Sequence, residues 1–252
     1  MKRTMKKPVL LLAAAAILLL MSTVGSTQAA LTYYSDNYMA EVKVANIGVT
    51  VLENEKVIDF RNYLEDGSWD RKGSDANPQV LTVIPEGEKL IPGKTYDEKI
   101  VVRNSGTIDT YVRVIVTKSW KNASGKNTTL TPSYIELNVP DGNGWVKDTK
   151  TSTVEREVYY YTQTLPADTE TKDVNNDTPA LTNSFRINPI VAKELIQTES
   201  NNAVTYVYKY DGYQSVIEIE VDAIQTHNAA DAIKSAWGVD VAIAADGTLS
   251  LK

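Results

Sequence analysis

Cysteine is absent from this chain, and histidine occurs once, at His227. Without cysteine there is no disulfide framework, no thiolate metal centre and no thiol nucleophile. A single histidine excludes the His-Glu-x-x-His helix of a zinc protease. It also leaves any serine nucleophile one candidate base, and no Gly-x-Ser-x-Gly turn occurs to present such a serine. Long apolar runs are equally scarce. Val9 to Met21 is the one uncharged apolar stretch, and its 13 residues fall short of the ~20 that a membrane-spanning helix needs. A Leu-Pro-x-Thr-Gly sorting segment and an apolar C-terminal tail are both missing, which argues against covalent attachment to a cell wall.

What is present begins with a processing signal. Lys2, Arg3, Lys6 and Lys7 precede the apolar run, and small and polar residues from Ser22 to Ala30 follow it. That is the layout of a secretory signal, expected to span residues 1–30. Cleavage is expected after Ala29 or Ala30; the rival is an uncleaved anchor. The expected location is therefore secreted, in the extracellular matrix or at the cell surface. A mature chain from Leu31 keeps 22 basic against 32 acidic residues, so its net charge is −10. Such a chain repels nucleic acid and anionic lipid, so neither nucleic acid nor stable membrane insertion after cleavage is expected. The chain is long enough to bury about 70% of its unfolded surface without covalent staples. One domain over 31–252 is the expectation.

Strand signals dominate. Ile217, Ile219, Val221 and Ala223 alternate with Glu218, Glu220 and Asp222, the pattern of a half-buried strand with one wet face. Tyr206, Tyr208 and Tyr210 alternate just upstream, and Asp211-Gly212 lies between, so 203–225 reads as a hairpin. Lys99–Asn104 and Tyr111–Trp120 flank a turn segment and read as a second antiparallel pair. Glu41 to Leu52 reads as a strand whose parity switches near Ala45-Asn46, as at a bulge. Val80 to Ile84 is a short apolar run. Val239 to Leu251 reads as a closing hairpin around Asp246-Gly247. Ala229 to Trp237 reads as a helix capped by Asn228, with Ala229, Ile233 and Trp237 on one face and Gly238 as the stop. Pro189 to Thr198 reads as a second helix behind Asn188, with a strand reading left open. The polar stretch 121–185, with a β-like patch at Val154 to Leu165, reads as a loop-rich insertion of long loops and short strands at one end of the sandwich. The fold class is mainly β: a jelly-roll-like two-sheet antiparallel β-sandwich with a few short helices and a long polar insertion.

Candidate chemistry is thin. His227 is expected to make a structural hydrogen bond at a strand-to-helix junction. Asp173, Asn175 and Asp177 have the spacing that opens a calcium loop, but Thr178-Pro179 stand where glycine is required, so a solvated acidic loop is the plainer reading. Trp69, Trp120, Trp145 and Trp237 are scattered singly, as core or rim residues are. In the run Tyr159-Tyr160-Tyr161, strand alternation directs at least one ring outward. No catalytic residue, metal ligand or cofactor is expected.

Three blocks carry a resemblance. Tyr33-Tyr34-Ser35-Asp36 after the signal leads into Val44-Ala45-Asn46-Ile47-Gly48-Val49-Thr50-Val51-Leu52-Glu53. Val101 to Val114 follows, with Arg103-Asn104-Ser105-Gly106-Thr107, Asp109 and Tyr111. The third block is Gln225-Thr226-His227-Asn228 through Trp237-Gly238-Val239-Asp240. In this order they resemble the TasA/camelysin family of Gram-positive exported proteins. The resemblance implies a jelly-roll-like sandwich, cleavage by a SipW-type signal peptidase and a role in the biofilm matrix. It marks Gln225, His227, Asn228, Trp237 and Gly238 as a family signature. It also implies self-assembly, in which the N-terminal segment of one subunit completes the sheet of the next. Leu31, Tyr33, Tyr34, Tyr38, Met39, Val42 and Val44 are then the donor-strand candidates within 31–44; the plainer reading of that segment is a first strand or a frayed end. The expected partner is a second copy of the chain, with a related accessory matrix protein as a further one. Two alternatives stand beside this: a camelysin-like secreted metallopeptidase, for which the chain offers no metal-binding helix, and a monomeric surface adhesin.

Overall fold

The computed structural model describes residues 46–63, 68–70, 80–82, 84, 89–168, 175–200 and 203–252. Its first strands are β1 (Gly48–Glu53), β2 (Lys56–Tyr63), β3 (Trp69–Asp70), β4 (Thr95–Asp97) and β5 (Ile100–Asn104). The long β6 (Thr110–Asn122) and short β7 (Gly125–Asn127) follow, then β8 (Ile135–Asn138), β9 (Trp145–Lys147), β10 (Arg156–Tyr161) and β11 (Ser184–Ile187). The chain closes with β12 (Leu195–Ser200), β13 (Ala203–Tyr208), β14 (Gln214–Gln225), helix α1 (Ala229–Trp237), β15 (Val241–Ile243) and β16 (Leu249–Leu251).

These strands build a mainly-β, sandwich-like fold of antiparallel sheets. One sheet runs β3-β2-β1-β5, and the facing one runs β14-β6-β10-β9, with β7 folded back on β6. A third sheet, β4-β11-β8, extends the first. The joint is the chain before β11: Thr178 donates its N–H to Val102 O (2.9 Å) and Leu181 to Ile100 O (2.7 Å), so this stretch lies along β5 before becoming β11. Val102, Val114, Val116, Ile135 and Phe185 fill the space between the sheets, each almost completely buried. Burial of such side chains contributes roughly 1.5–3 kcal/mol each.

β6 is the axis of the molecule. Its even residues Val112, Val114 and Val116 face this main core. Its odd residues Tyr111 and Ile115 face a second, smaller core with Ala229 and Ile233 of α1 and with Val241 and Leu249 of the closing hairpin. The near-continuous apolar run from Tyr111 to Val116 is what burial on both faces requires. The expected hairpin around Asp246-Gly247 and the expected helix extent are both present.

Pairing partners differ from several expectations. β5 and β6 are not a pair: β5 pairs with β1 and β6 with β14 and β10. The turn between them is an arch that crosses from one sheet to the other. Buried Asn104 holds it. Its amide nitrogen donates to Ile108 O (2.8 Å) and Leu165 O (3.0 Å), and its carbonyl oxygen accepts from Gly106 N (2.9 Å). Gly106 packs backbone against backbone on the start of β1; a Cβ there would lie 2.4 Å from Asn46 O. The 203–225 hairpin is likewise absent. β13 pairs with β12, and β14 aligns twelve residues with β6, a longer ladder than β13 offers. Asp211-Gly212 is still a turn, but it turns the chain from one sheet into another. The expected helix over 189–198 is one 3-10 turn, Pro189–Ala192, capped by Asn188 through Ile190 N–H, before the chain extends into β12.

The stretch 121–185 is not a peripheral insertion. It supplies β8, β9 and β10, and Ile135, Tyr160, Leu165 and Leu181 within it are at most 1% exposed. Its polar composition belongs to the loops between these strands. The tyrosine run is corrected with it. Tyr159 faces the main core and Tyr160 the second core, so alternation sends consecutive rings to two buried faces; Tyr161 is half-buried beside Trp145. The bulge near Ala45-Asn46 falls at the edge of the described residues. An irregularity of register against β2 lies farther on, between Val51 and Leu52. Val80–Leu81–Thr82 forms no strand; Val80, Leu81 and Ile84 pack on the main core.

Candidate assembly surface

β14 ends its sheet. One edge carries the ladder to β6, and the other has no strand beside it among the described residues. The acidic alternation seen in the sequence is borne out: Glu218 and Glu220 are exposed, while Ile217 is buried and Ile219 and Val221 are half-buried against the main core. Across from the free edge stand β1 and β2 of the facing sheet. Between them lies an open groove of about 700 Å³ whose lining includes Val49, Val51, Leu81, Ile219 and Val221 together with Asp59 and Arg61, which stand opposite Val51 and Val49 on the same face of β1 and β2. A smaller groove of about 390 Å³ shares Val49, Arg61, Glu220 and Val221 and runs on towards Trp237. Among the described residues no strand fills the seam along β14, and Val49 and Val51 are half-exposed there.

One wall of this groove is held by a buried carboxyl pair that sequence patterning did not single out. Glu53 ends β1 and Glu98 follows β4; they are 0% and 1% exposed. Glu53 accepts from Thr82 N (2.9 Å) and from the Thr82 hydroxyl (2.5 Å). Glu98 Oε2 has no hydrogen-bond donor. Burial, then the hydrogen bond to Glu53 and its charge, push Glu98 up to about 9, against the smaller opposing effect of the Leu81 amide. Glu98 therefore stays protonated at neutral pH. The two bonds from Thr82 to Glu53 fasten Leu81-Thr82 to the sheet. Leu81 has a positive φ of 69°, a strained conformation for leucine that this anchoring holds. The signal for the pair in the sequence is faint: Glu53 closes the run Val49-Thr50-Val51-Leu52, where a turn acid would also stand.

The residues marked by the resemblance lie at the far end of β14 and around α1. Gln225 is the last residue paired to β6, opposite Thr110. His227 is exposed and makes no side-chain hydrogen bond among the described residues, which corrects the structural bond expected of it. Asn228 starts α1, but its side chain caps nothing; its φ of 51° turns the backbone into the helix instead. Gly238 ends α1 at φ 71°, its N–H bonded to Lys234 O. Trp237 does the packing. It lies 5.7 Å from the Tyr160 ring, and the Arg113 guanidinium sits 4.9 Å over it while bonding Asp222 at 2.7 Å.

Trp120 and Trp145 are buried, each donating its indole N–H to a backbone carbonyl, Thr131 O and Pro179 O. Asp177 is tied to Arg103 at 2.6 and 2.8 Å rather than turned towards a calcium loop; Asp173 lies outside the described residues. Beside Tyr159, Lys118 (3.3 Å) and Lys147 (2.6 Å) converge on Glu157. Burial opposes ionisation of Glu157, but its bonds to Lys147 and the charge of Lys118 outweigh it and hold the carboxyl below the usual range. Among the described residues no three His, Asp or Glu side chains gather to hold a metal, and no helix is long and apolar enough to cross a membrane. The donor-strand candidates Leu31, Tyr33, Tyr34, Tyr38, Met39, Val42 and Val44 lie outside the described residues. Comparison with protein-family models, curated proteins and solved structures finds no match for the chain.

Proposed function

We propose that this chain is an exported structural subunit of an extracellular biofilm matrix, polymerising when residues 31–44 of one copy add as a strand to β14 of the next. The observation that carries the reading is the twelve-residue edge strand lying beside an apolar groove. An unpaired edge offers main-chain hydrogen bonds, and the groove offers pockets for alternate side chains; strand addition uses both. The segment 31–44 is suited to that role. Tyr34, Tyr38, Val42 and Val44 share one parity and would line one face of an extended strand, with Leu31, Tyr33 and Met39 on the other. Its N-terminal end becomes free only when a SipW-type peptidase removes the signal, so processing sets the moment of assembly. The resemblance to the TasA/camelysin family points the same way. The head-to-tail geometry is heterologous and gives open fibres where the rotation from copy to copy does not close.

The test is negative-stain electron microscopy of the mature protein from Leu31 beside the same protein lacking 31–44. Fibres in the first and monomers in the second are expected. Fibres in both move the contact away from the N-terminal segment. No fibres in either, across salt and pH, refute the polymer and leave a monomeric adhesin as the better reading.

A further inference from the structure

The β12–β13 ribbon is a second surface, separate from the β14 seam. It is a two-stranded sheet whose register runs from Leu195↔Tyr208 to Ser200↔Ala203, with no third strand on either side among the described residues. Two strands alone are marginal in water. Apolar side chains nonetheless crowd both faces. Leu195, Val204, Tyr206 and Tyr208 share one face, Ile196 and Val207 the other, and all six are 46–60% exposed. Only the base is tied down, where Lys209 bonds Glu194 at 2.8 Å and Tyr134 bonds the same carboxylate.

The two edges differ. β12 carries Glu199, whereas β13 reads Ala-Val-Thr-Tyr-Val-Tyr, six residues with no charge, no proline and no glycine. Exposed edges are ordinarily blunted by lysine, proline or a bulge, and β13 has none of these. Short uncharged segments of high strand propensity are the ones that pair with copies of themselves. The charge balance selects the same partner. The chain is acidic overall, so copies repel across most of their surface, and an uncharged strand is where two copies approach at least cost. Self-pairing of β12 would instead place a charged residue of each copy, Glu199, inside the new sheet.

We propose that β13 is a self-association edge, pairing antiparallel with β13 of a second copy to join two ribbons into one four-stranded sheet. The contact is isologous and links two molecules only. It does not depend on strand addition at β14; where both contacts operate, it joins neighbouring fibres sideways.

The absence of cysteine makes the test free of background. Thr205→Cys places one thiol near the middle of β13, and Ser124→Cys places one in the exposed β6–β7 turn of an otherwise identical mature chain. Under mild oxidation, disulfide-linked dimer is expected to form at least tenfold faster for Thr205→Cys than for Ser124→Cys. Adding Tyr206→Lys to the Thr205→Cys chain puts like charges across the pair and is expected to remove that advantage, with an unchanged circular dichroism spectrum showing that the fold is intact. Equal rates for the two cysteine variants overturn the proposal, as does crosslinking that survives Tyr206→Lys. A Thr205→Cys chain that stays unlinked but floats with phosphatidylglycerol vesicles overturns it in favour of a lipid surface. The deletion of 31–44 is scored separately, so failure here leaves the β14 reading standing and the converse also holds.

Discussion

β6 and the β12–β13 ribbon are written in the same alphabet of valine, isoleucine, threonine and tyrosine, and they end in opposite environments. β6 has a strand on each side and a core on each face. The ribbon has apolar side chains on both faces and, among the described residues, no core on either and no outer strand. Strand propensity therefore records fitness for a pleated surface and says nothing about what covers it. What separates the two is tertiary: β6 collects β14, β10, α1 and the closing hairpin from distant parts of the chain, and the ribbon collects only itself.

The sharpest contrast uses one residue type in both places. Ile115→Ala in β6 is expected to cost about 2–5 kcal/mol, because that side chain is 3% exposed in the second core. Ile196→Ala in the ribbon, where the side chain is 47% exposed, is expected to stay within about 0.5 kcal/mol. Urea unfolding of the two variants measures both, and comparable losses would mean that the ribbon is covered in solution.

Next in size is the arch that feeds β6. Asn104→Ala removes the side-chain donor to Ile108 O, one of the two donors to Leu165 O and the acceptor of the Gly106 amide, and is expected to cost about 2–3 kcal/mol. A loss below about 0.5 kcal/mol in the same unfolding assay would show that the crossing holds without this side chain.

The smallest effect per step is in pH. Glu98 binds its proton up to about pH 9 in the folded chain and releases it near 4.5 when unfolded. Its stabilising contribution is complete below pH 4.5, shrinks as pH rises and is lost above about 9, with a slope of at most about 1.4 kcal/mol per pH unit. Glu98→Gln keeps the shape and is expected to flatten the limb between pH 6 and 9. Glu157 works with the opposite sign: its lowered carboxyl withdraws stability as pH falls below the usual carboxylate range. A wild-type chain whose melting temperature is unchanged from pH 6 to 9 would refute the raised Glu98 carboxyl.

Individual elements were legible where one strand or helix carries its own period. β14 showed its wet acidic face, α1 its apolar stripe with Gly238 at the end, and the closing hairpin its Asp246-Gly247 turn. Partnership was not legible. Periodicity reports the two faces of a strand and is silent on its two edges, so β5 was matched to its neighbour in sequence rather than to β1, and β13 to β14 rather than to β12. β10 was legible as the β-like patch within 121–185, but its place beside β6 was not, because the polar loops around it dominate the composition of that stretch. Of the candidate surface, the strand could be read and the free edge could not. Glu53 and Glu98 escaped because an acid beside a turn ordinarily points into water, and only the fold reveals that these two face each other.

The twelve-residue ladder between β14 and β6 also has a mechanical meaning. Hydrogen bonds of an antiparallel pair lie across the strands. A pull along β14 therefore loads the whole ladder in shear, and its bonds share the tension and must fail together. A pull across the tip of the ribbon opens its six-residue ladder one rung at a time, as a zipper does. A strand seated on β14 hands tension to the stiffest line through the molecule, while contacts made through the ribbon yield first and can re-form.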